Sequence, residues 1–230
     1  MTSLASDVAV SSGPPSLEVR WIRPGQLDPA MLEWFGRFPN ATESREDDYL
    51  IRPDLDGLSV KIRGGRALEV KVFRGSRGVL DVPGRARGFL EHWQRWSFPL
   101  GSLSQGIDAE GTWTAVHKVR RMTAFGRDDE VQLSAGVPSP QQDTGCAVEL
   151  TEVIMHGQSW WTLGIEATGP TDGLQTLLRE TAAIVFDLAM PDGMELTSTD
   201  SGSYVSWLRG QASPDQPTAV SGDRGSRPAQ

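Results

Sequence analysis

The sequence predicts an α+β protein in which an antiparallel sheet, closed into a barrel or strongly curved, carries a few flanking helices. Most of the chain consists of short runs rich in β-branched and aromatic residues, separated by Gly, Pro, Asp or Ser. Several runs are joined by short turns such as RGGRA and MHGQS, which favours antiparallel hairpins over β-α-β units. Only three segments space their apolar residues as a helix does.

Eight runs are predicted to be strands because they are short, β-branched or aromatic, and bounded by turn-forming residues. They are SLEVRWI, DYLIRP, LSVKIRG, ALEVKVFR, TWTAVHKVRRMTAF, VQLSAG, CAVELTEVIMHG and SWWTLGIEATG.

Three segments are predicted to be helices. DPAMLEWFGRF begins with Asp28 as an N-cap and Pro29 at the first helical position. RGFLEHWQRW would place Phe89, Trp93 and Trp96 on one stripe of a helix. TDGLQTLLRETAAIVFDLAMP has the longest apolar stripe of the three and ends at a proline.

Charge and cysteine content restrict the class of protein. The chain has 22 Lys and Arg against 30 Asp and Glu, a net charge of −8, which argues against a broad basic surface for nucleic acid or membranes. Cys146 is the single cysteine and no zinc-type spacing exists, so a reducing, cytoplasmic setting is expected. No run approaches the ~20 apolar residues that span a bilayer, and the N-terminus lacks the pattern of a secretion signal.

The two ends differ in composition from the middle of the chain. Residues 1–16 are rich in Ser, Pro and Ala, and residues 210–230 are rich in Gly, Pro and Ser with almost no large apolar residues. Such segments bury too little apolar surface to order themselves. We therefore predict disordered ends around one domain at residues 17–209.

Charged side chains alternate with apolar ones along several predicted strands. In a strand, residues two apart share a face, so Lys61 lies beside Arg63, and Glu69 beside Lys71. Further charges in such patterns are Glu18, Arg20, Lys118, Arg120, Glu149 and Glu166. A half-solvated antiparallel sheet whose charges simply face water shows the same alternation, and the alternation alone leaves that interpretation open.

The order of these motifs resembles the CYTH family, also called the triphosphate tunnel metalloenzymes. SLEVR looks like the opening acidic motif of that family, VKIR like its R-x-R motif and LEVK like its lysine strand. HKVR looks like the basic strand, VELT and LGIE like the acidic strands, and SYVSWL like the C-terminal segment. The resemblance covers residues 16–208 and implies an eight-stranded antiparallel tunnel that holds a triphosphate together with Mg²⁺ or Mn²⁺.

The resemblance also implies which side chains face the ligand, although it assigns no catalytic residue. The implied phosphate- or anion-binding residues are Arg20, Lys61, Arg63, Lys71, Lys118 and Arg120. The implied metal ligands for Mg²⁺ or Mn²⁺ are Glu18, Glu149 and Glu166. Phosphate oxygens favour the charged donors of Arg and Lys, and hard divalent cations favour clustered carboxylates.

The chain departs from the family pattern on the metal side, since Ser16, Thr151 and Gly164 stand where acids are expected. Fewer carboxylates weaken metal-dependent phosphoryl transfer more than they weaken anion binding. We therefore expect a tunnel protein that binds a phosphorylated or polyphosphate anion, with weak metal-dependent triphosphate hydrolysis as its enzymatic form. The alternatives are a non-catalytic tunnel for an organic anion or a phosphorylated protein segment, and a structural barrel whose charges pair with one another.

Overall fold

The computed structural model describes residues 11–52, 54–100, 113–128, 132–138 and 144–212. The strands are β1 (Ser11–Ser12), β2 (Ser16–Pro24), β3 (Ala41–Leu50), β4 (Leu58–Arg63), β5 (Ala67–Val82), β6 (Ala86–Pro99), β7 (Trp113–Asp128), β8 (Gln132–Gly136), β9 (Gly145–Met155) and β10 (Gln158–Thr168). The helices are α1 (Pro29–Phe35), α2 (Thr171–Asp187) and α3 (Tyr204–Ala212).

Eight of these strands close into an antiparallel tunnel. The order around the ring is β6-β2-β10-β9-β7-β3-β4-β5, and β5 pairs with β6 to complete it. The short strands β1 and β8 lie outside the ring and pair with β6 and β7. The predicted α+β fold with an eight-stranded antiparallel tunnel is confirmed.

The main apolar core lies outside the tunnel, between its wall and two helices. On β2, Leu17, Val19 and Trp21 are buried in this core together with apolar residues of α1 and α2. The rings of Trp21 and Phe186 of α2 meet edge to face with centroids 6.0 Å apart. Because side chains alternate along a strand, the residues between these apolar ones point into the tunnel. Packing on the outer face therefore fixes which charges face inward.

Two of the predicted helices are confirmed. Asp28 caps α1, where its Oδ1 accepts a hydrogen bond of 2.8 Å from the backbone N–H of Ala30, and Pro29 occupies the first helical position. The helix α2 buries Leu174, Leu178 and further residues of the predicted stripe. Both helices bury one apolar face, as their sequence spacing requires.

The helix predicted for RGFLEHWQRW is wrong, because this segment is the middle of β6. Buried residues alternate with exposed ones from Ala86 through Gly88 to Leu90, a period of two. Phe89, which the helical stripe would bury, is 46 % exposed. The aromatic spacing at positions i, i+4 and i+7 imitates a helical stripe, but in the strand Phe89 and Trp93 line the tunnel cavity and Trp96 lies on the opposite face.

Gly88 is the point of closest contact between β6 and the outer core. A Cβ atom there would lie 2.7 Å from Val19 Cγ2 and 2.9 Å from both Ser201 Oγ and Trp21 Cζ2. We predict that Gly88→Ala lowers the free energy of unfolding by about 1–3 kcal/mol, since a methyl group is forced into filled space. Gly136→Ala on β8 is the matched control, because nothing lies within 4 Å of its Cβ position. Urea unfolding of both variants measures the difference, and equal stability would contradict this packing.

The ends of the predicted domain differ slightly from the observed ones. Residues 11–16, predicted to be disordered, include β1 and the first residue of β2, and α3 runs to Ala212. Residues 1–10 and 213–230, which complete the predicted disordered ends, lie outside the described residues. In the described ranges, no helix has the length and hydropathy needed to span a membrane.

Candidate anion-binding site

A cavity of about 180 Å³ occupies the tunnel and is lined mainly by charged side chains. The basic ones are Arg20, Arg45, Lys61, Arg63, Lys71, Arg95, Lys118 and Arg120. The acidic ones are Glu18, Glu69, Glu91, Glu149 and Glu166. Counted formally, the eight bases exceed the five acids by three inside a protein whose net charge is −8, while burial and the neighbouring Lys61 lower the pKa of Lys118 well below its usual value. The volume is below the ~300–1,000 Å³ of pockets for drug-sized ligands, so a small anion suits it best.

All nine residues predicted from the sequence line this cavity. Three charged lining residues were missed, namely Arg45, Glu91 and Arg95. Glu91 and Arg95 lie on β6, the strand predicted as a helix, and Arg45 lies on the part of β3 that precedes the predicted DYLIRP strand. Lumen-facing residues on β6 recur at odd numbers from Phe89 to Arg95, and this period would have found them.

Glu149 is held between two arginines. Its Oε1 accepts a hydrogen bond of 2.6 Å from Arg20 Nη1, and its Oε2 accepts one of 3.1 Å from Arg120 Nε. Burial alone would raise the pKa of this carboxyl, but Arg120 and Arg20 outweigh burial and hold the pKa well below its usual range. The carboxylate is therefore ionised and fully engaged by the chain's own bases.

Asp47, on β3, is completely buried and forms ion pairs with three basic side chains that line the cavity. Its carboxylate lies 3.1 Å from Lys118 Nζ, 3.3 Å from Lys61 Nζ and 3.1 Å from Arg45 Nε. Although burial opposes ionisation, these cations hold the pKa of Asp47 well below its usual range. Lys118 also donates a hydrogen bond of 2.6 Å to Tyr49 Oη. This cluster fixes the positions of the bases without presenting Asp47 to a ligand.

Two smaller pairings complete the wall formed by β4 and β5. Glu69 lies 3.3 Å from Lys61 Nζ and 3.0 Å from Arg63 Nη1. Burial opposes ionisation of Glu69, but these two cations lower its pKa to about 2. Lys71 lies 2.6 Å from Glu18 and 3.0 Å from Glu166. All six predicted anion-binding residues thus have carboxylate partners, as the structural-barrel alternative expects, but the tunnel still encloses a cavity.

Arg95 differs from the other lumen bases. In the described part of the chain no carboxylate lies within 4.0 Å of it, which separates it from the other seven bases of the cavity. It stands opposite Lys71 across the β5–β6 pair, and Ser59 stands opposite Lys71 across the β4–β5 pair. Arg95, Lys71 and Ser59 all line the cavity, so paired positions on three neighbouring strands present a guanidinium, an ammonium and a hydroxyl to it.

The guanidinium of Arg95 packs closely against the backbone at Gly13. A Cβ atom at Gly13 would lie 3.2 Å from both Nε and Nη2 of Arg95. The backbone N–H of Gly13 also donates a hydrogen bond of 3.1 Å to the carbonyl of Arg95. The segment between β1 and β2 therefore supports this guanidinium from one side.

The start of α3 closes one end of the cavity. Residues 202–205 line it, and the backbone N–H of Gly202 donates to the carbonyl of Arg20 at 3.1 Å. At the other end of the helix, Arg209 donates to the carbonyls of Leu55 and Leu58. The ring of Tyr204 stacks on Tyr49 with centroids 5.4 Å apart. The SYVSWL segment thus contributes to the lining of the cavity and packs against β3.

The predicted metal ligands do not fit a divalent cation as they are arranged. In the ranges that the structure describes, no group of three Asp, Glu, His or Cys side chains could hold a metal ion. Glu149 is engaged by two guanidinium groups, and Glu18 and Glu166 share one ammonium group.

The positions where acids are missing are occupied in other ways. A Cβ atom at Gly164 would lie 3.0 Å from Cζ and Nη2 of Arg20, so this guanidinium fills the space of a side chain. Ser16 donates a hydrogen bond of 2.7 Å to Glu18 Oε1. The hydroxyl of Thr151 is buried and makes no hydrogen bond with the described residues. A side chain at position 164 would therefore force the guanidinium of Arg20 to shift.

Comparisons with known proteins give only distant similarities. No protein-family model matches the chain, and no curated protein matches it. Among solved structures, a conserved hypothetical protein from Pyrococcus furiosus has 16 % identity and a TM-score of 0.44, over 82 % of this chain and 98 % of that one. The PH1012 protein from Pyrococcus horikoshii OT3 has 15 % identity and a TM-score of 0.43, over the same shares.

The Pct1 RNA triphosphatase of S. pombe, solved in complex with the Spt5 CTD, is a more distant match. It has 10 % identity and a TM-score of 0.36, over 80 % of this chain and 82 % of that one. Membership of the CYTH family therefore stays a prediction.

Proposed function

We propose that the tunnel binds a small phosphorylated or polyphosphate anion. The observation that carries this proposal is Arg95, a guanidinium that faces the cavity and has no carboxylate within 4.0 Å among the described residues. The planar fork of an arginine matches phosphate oxygens, and charge-assisted hydrogen bonds are the strong ones. The excess of positive charge in the lumen draws an anion to the same place.

The same arrangement supports binding more than hydrolysis. Triphosphate hydrolysis of this kind depends on metal ions that bridge and neutralise phosphate oxygens. In this chain the carboxylates that would hold such ions are engaged by Arg20, Arg120 and Lys71. Metal-dependent triphosphatase activity is therefore not part of the proposal, and phosphate release is measured as a separate outcome.

Calorimetric titration of the purified full-length protein with triphosphate, thiamine triphosphate and ATP, each with and without Mg²⁺, tests the proposal. We expect saturable binding of at least one of these anions without added metal. Citrate serves as a polycarboxylate control. If none of the phosphate compounds binds in either condition, the proposal is wrong. If citrate binds more tightly than all three, the organic-anion alternative replaces it.

Arg95→Gln tests the site itself. We predict that it weakens binding of the phosphate ligand about ten- to a hundredfold, because a hydrogen bond to a charged group contributes ~1.5–3 kcal/mol. Arg87→Gln is the matched control, since Arg87 lies on the same strand, is exposed and pairs only with Asp81 among the described residues. Equal affinity of Arg95→Gln and the unmodified protein would place the anion elsewhere.

A further inference from the structure

Two buried carboxylates of the lumen converge on one ammonium group. Lys71 Nζ lies 2.6 Å from Glu18 Oε1 and 3.0 Å from Glu166 Oε1, and donates a hydrogen bond to each. Glu18 and Glu166 stand directly opposite each other across the β2–β10 pair, and Lys71 reaches them from β5 on another part of the wall. In sites that Mg²⁺ shares with phosphates, one or two carboxylates hold the ion, so this pair suffices in number.

The dependence on a single base separates this pair from Glu149, Glu69 and Asp47, which each contact two or more bases. Glu91, opposite Glu18 across the β2–β6 pair, accepts a hydrogen bond from Trp93 and has no base within 4.0 Å among the described residues. Glu149 contacts both Arg20 and Arg120, and Glu69 contacts both Lys61 and Arg63. Asp47 contacts three bases. Within the described ranges, Glu18 and Glu166 have Lys71 as their one ion-pair partner.

We infer that the ammonium of Lys71 is the resident cation of this acidic pair and stands where a divalent metal ion would otherwise bind. Lysine carries three N–H donors. Two of them engage Glu18 and Glu166, so one remains for an anion in the cavity that Lys71 also lines. Lys71 therefore performs two tasks that a bound metal ion performs in a phosphate site, since it neutralises the carboxylates and presents positive charge to the ligand.

The electrostatics of the three groups agree with this geometry. Burial opposes ionisation of Glu166, but Lys71 lowers the pKa of this carboxyl to about 2. Burial would lower the pKa of Lys71, yet Glu166 and Glu18 raise it above its usual value. Burial, together with the neighbouring Glu166, raises the pKa of Glu18. A metal ion at this pair would have to displace a basic side chain that donates a hydrogen bond to each of the two carboxylates.

Removal of the ammonium should therefore create a metal site. We predict that full-length Lys71→Met gains saturable Mn²⁺ binding, measured as loss of the free Mn²⁺ signal in electron paramagnetic resonance. Its affinity should exceed that of the unmodified protein about ten- to a hundredfold, the range over which groups contacting metal ligands tune affinity. Lys71→Met/Glu166→Gln should bind Mn²⁺ more weakly than Lys71→Met, since one carboxylate of the pair is gone and Glu18 and the neighbouring Glu91 remain.

Lys61→Met is the matched control, because Lys61 also bridges two carboxylates, Asp47 and Glu69, in the same lumen. Each of those keeps another base when Lys61 is removed, so this variant should gain no Mn²⁺ binding. Circular dichroism and thermal unfolding verify that the variants are folded, and Lys71→Gln replaces Lys71→Met if the latter is not.

Metal binding is read directly here, so the inference does not depend on the proposed anion ligand. It is overturned if a folded Lys71 variant gains no Mn²⁺ binding. It is equally overturned if the unmodified protein binds Mn²⁺ as tightly as the variant does, or if Lys61→Met gains the same affinity.

Discussion

Replacing Asp47 by Asn is expected to lower the free energy of unfolding by about 3–5 kcal/mol, the usual effect of removing one partner from a buried ion pair. The carboxylate has no exposed surface and lies within 3.3 Å of Lys61, Lys118 and Arg45. Asn keeps the shape of the side chain but leaves three positive groups without their shared counter-charge. Of the three, Lys118 should lose the most stabilisation, because its side chain is only 6 % exposed and Asp47 is its one carboxylate partner among the described residues.

Urea unfolding at neutral pH measures this loss, and Asp54→Asn is the control. Asp54 forms a pair with Arg52 in which both side chains are more than half exposed, so its replacement should leave stability unchanged. A loss in Asp47→Asn no larger than in Asp54→Asn would show that the lysines find other partners.

The loss of stability in Asp47→Asn should also depend on pH in a specific way. The folded-state pKa of Asp47 lies below the unfolded value of about 4, so its contribution is fully present above that pH. It is lost as the pH falls through the lower, folded-state pKa. The difference in stability between the unmodified protein and Asp47→Asn should therefore be constant from neutral pH to about 5 and shrink in stronger acid. A difference that instead grows as the pH falls would contradict the ion-pair origin of the effect.

The lumen residues that the sequence predicted correctly lie on strands with strict alternation. On β4 and β5, Lys61, Arg63, Glu69 and Lys71 all line the cavity, as a period of two requires. Alternation alone could not decide whether that face met water or the inside of a tunnel, because both give the same pattern. That choice depends on the long-range pairings of β2 with β6 and β10 and of β3 with β7, which local sequence does not encode.

The residues that were missed lie where local and tertiary signals conflict. The first eight residues of β3, ATESREDD, are so polar that they resemble a loop, yet β7 pairs with all of them and β4 pairs with Asp47 and Asp48. Its buried Asp47 is stabilised by bases on those two neighbouring strands, which propensity does not measure. On β6, the spacing of the aromatic residues imitates a helix, and Arg95 was therefore not assigned to the lumen.

The sequence also could not show which base pairs with which acid. Glu18 and Glu166 lie 53 and 95 residues from Lys71 along the chain, and they meet because of strand order and register. The motifs alone suggested a metal-binding acidic wall facing a basic wall. Folding instead brings bases from β5, β7 and β2 onto those acids, so the position of a charge on a strand face indicates the lumen but not its partner.

Glu149→Gln is expected to tighten anion binding while it destabilises the free protein. Glu149 engages Arg20 and Arg120, and all three side chains line the cavity and are at most 14 % exposed. Without this carboxylate the two guanidinium groups lose a shared ion-pair partner, which should lower the free energy of unfolding by up to about 3–5 kcal/mol. A phosphate group can then take the place of the carboxylate, and its affinity should rise about ten- to a hundredfold, since hydrogen bonds to charged groups contribute ~1.5–3 kcal/mol.

Thermal unfolding with and without saturating triphosphate separates the two effects, because a ligand that binds the folded state stabilises it in proportion to its affinity. The unfolding temperature of Glu149→Gln should be lower than normal without triphosphate and should rise further than normal when triphosphate is added. Glu152→Gln is the matched control, since Glu152 lies on the same strand and pairs with Arg121, which does not line the cavity. If two guanidinium groups beside a phosphate site lose their carboxylate partner, their attraction for an anion that reaches them becomes stronger. A smaller ligand-induced rise in the unfolding temperature of Glu149→Gln than of the unmodified protein would therefore show that Arg20 and Arg120 serve the fold alone.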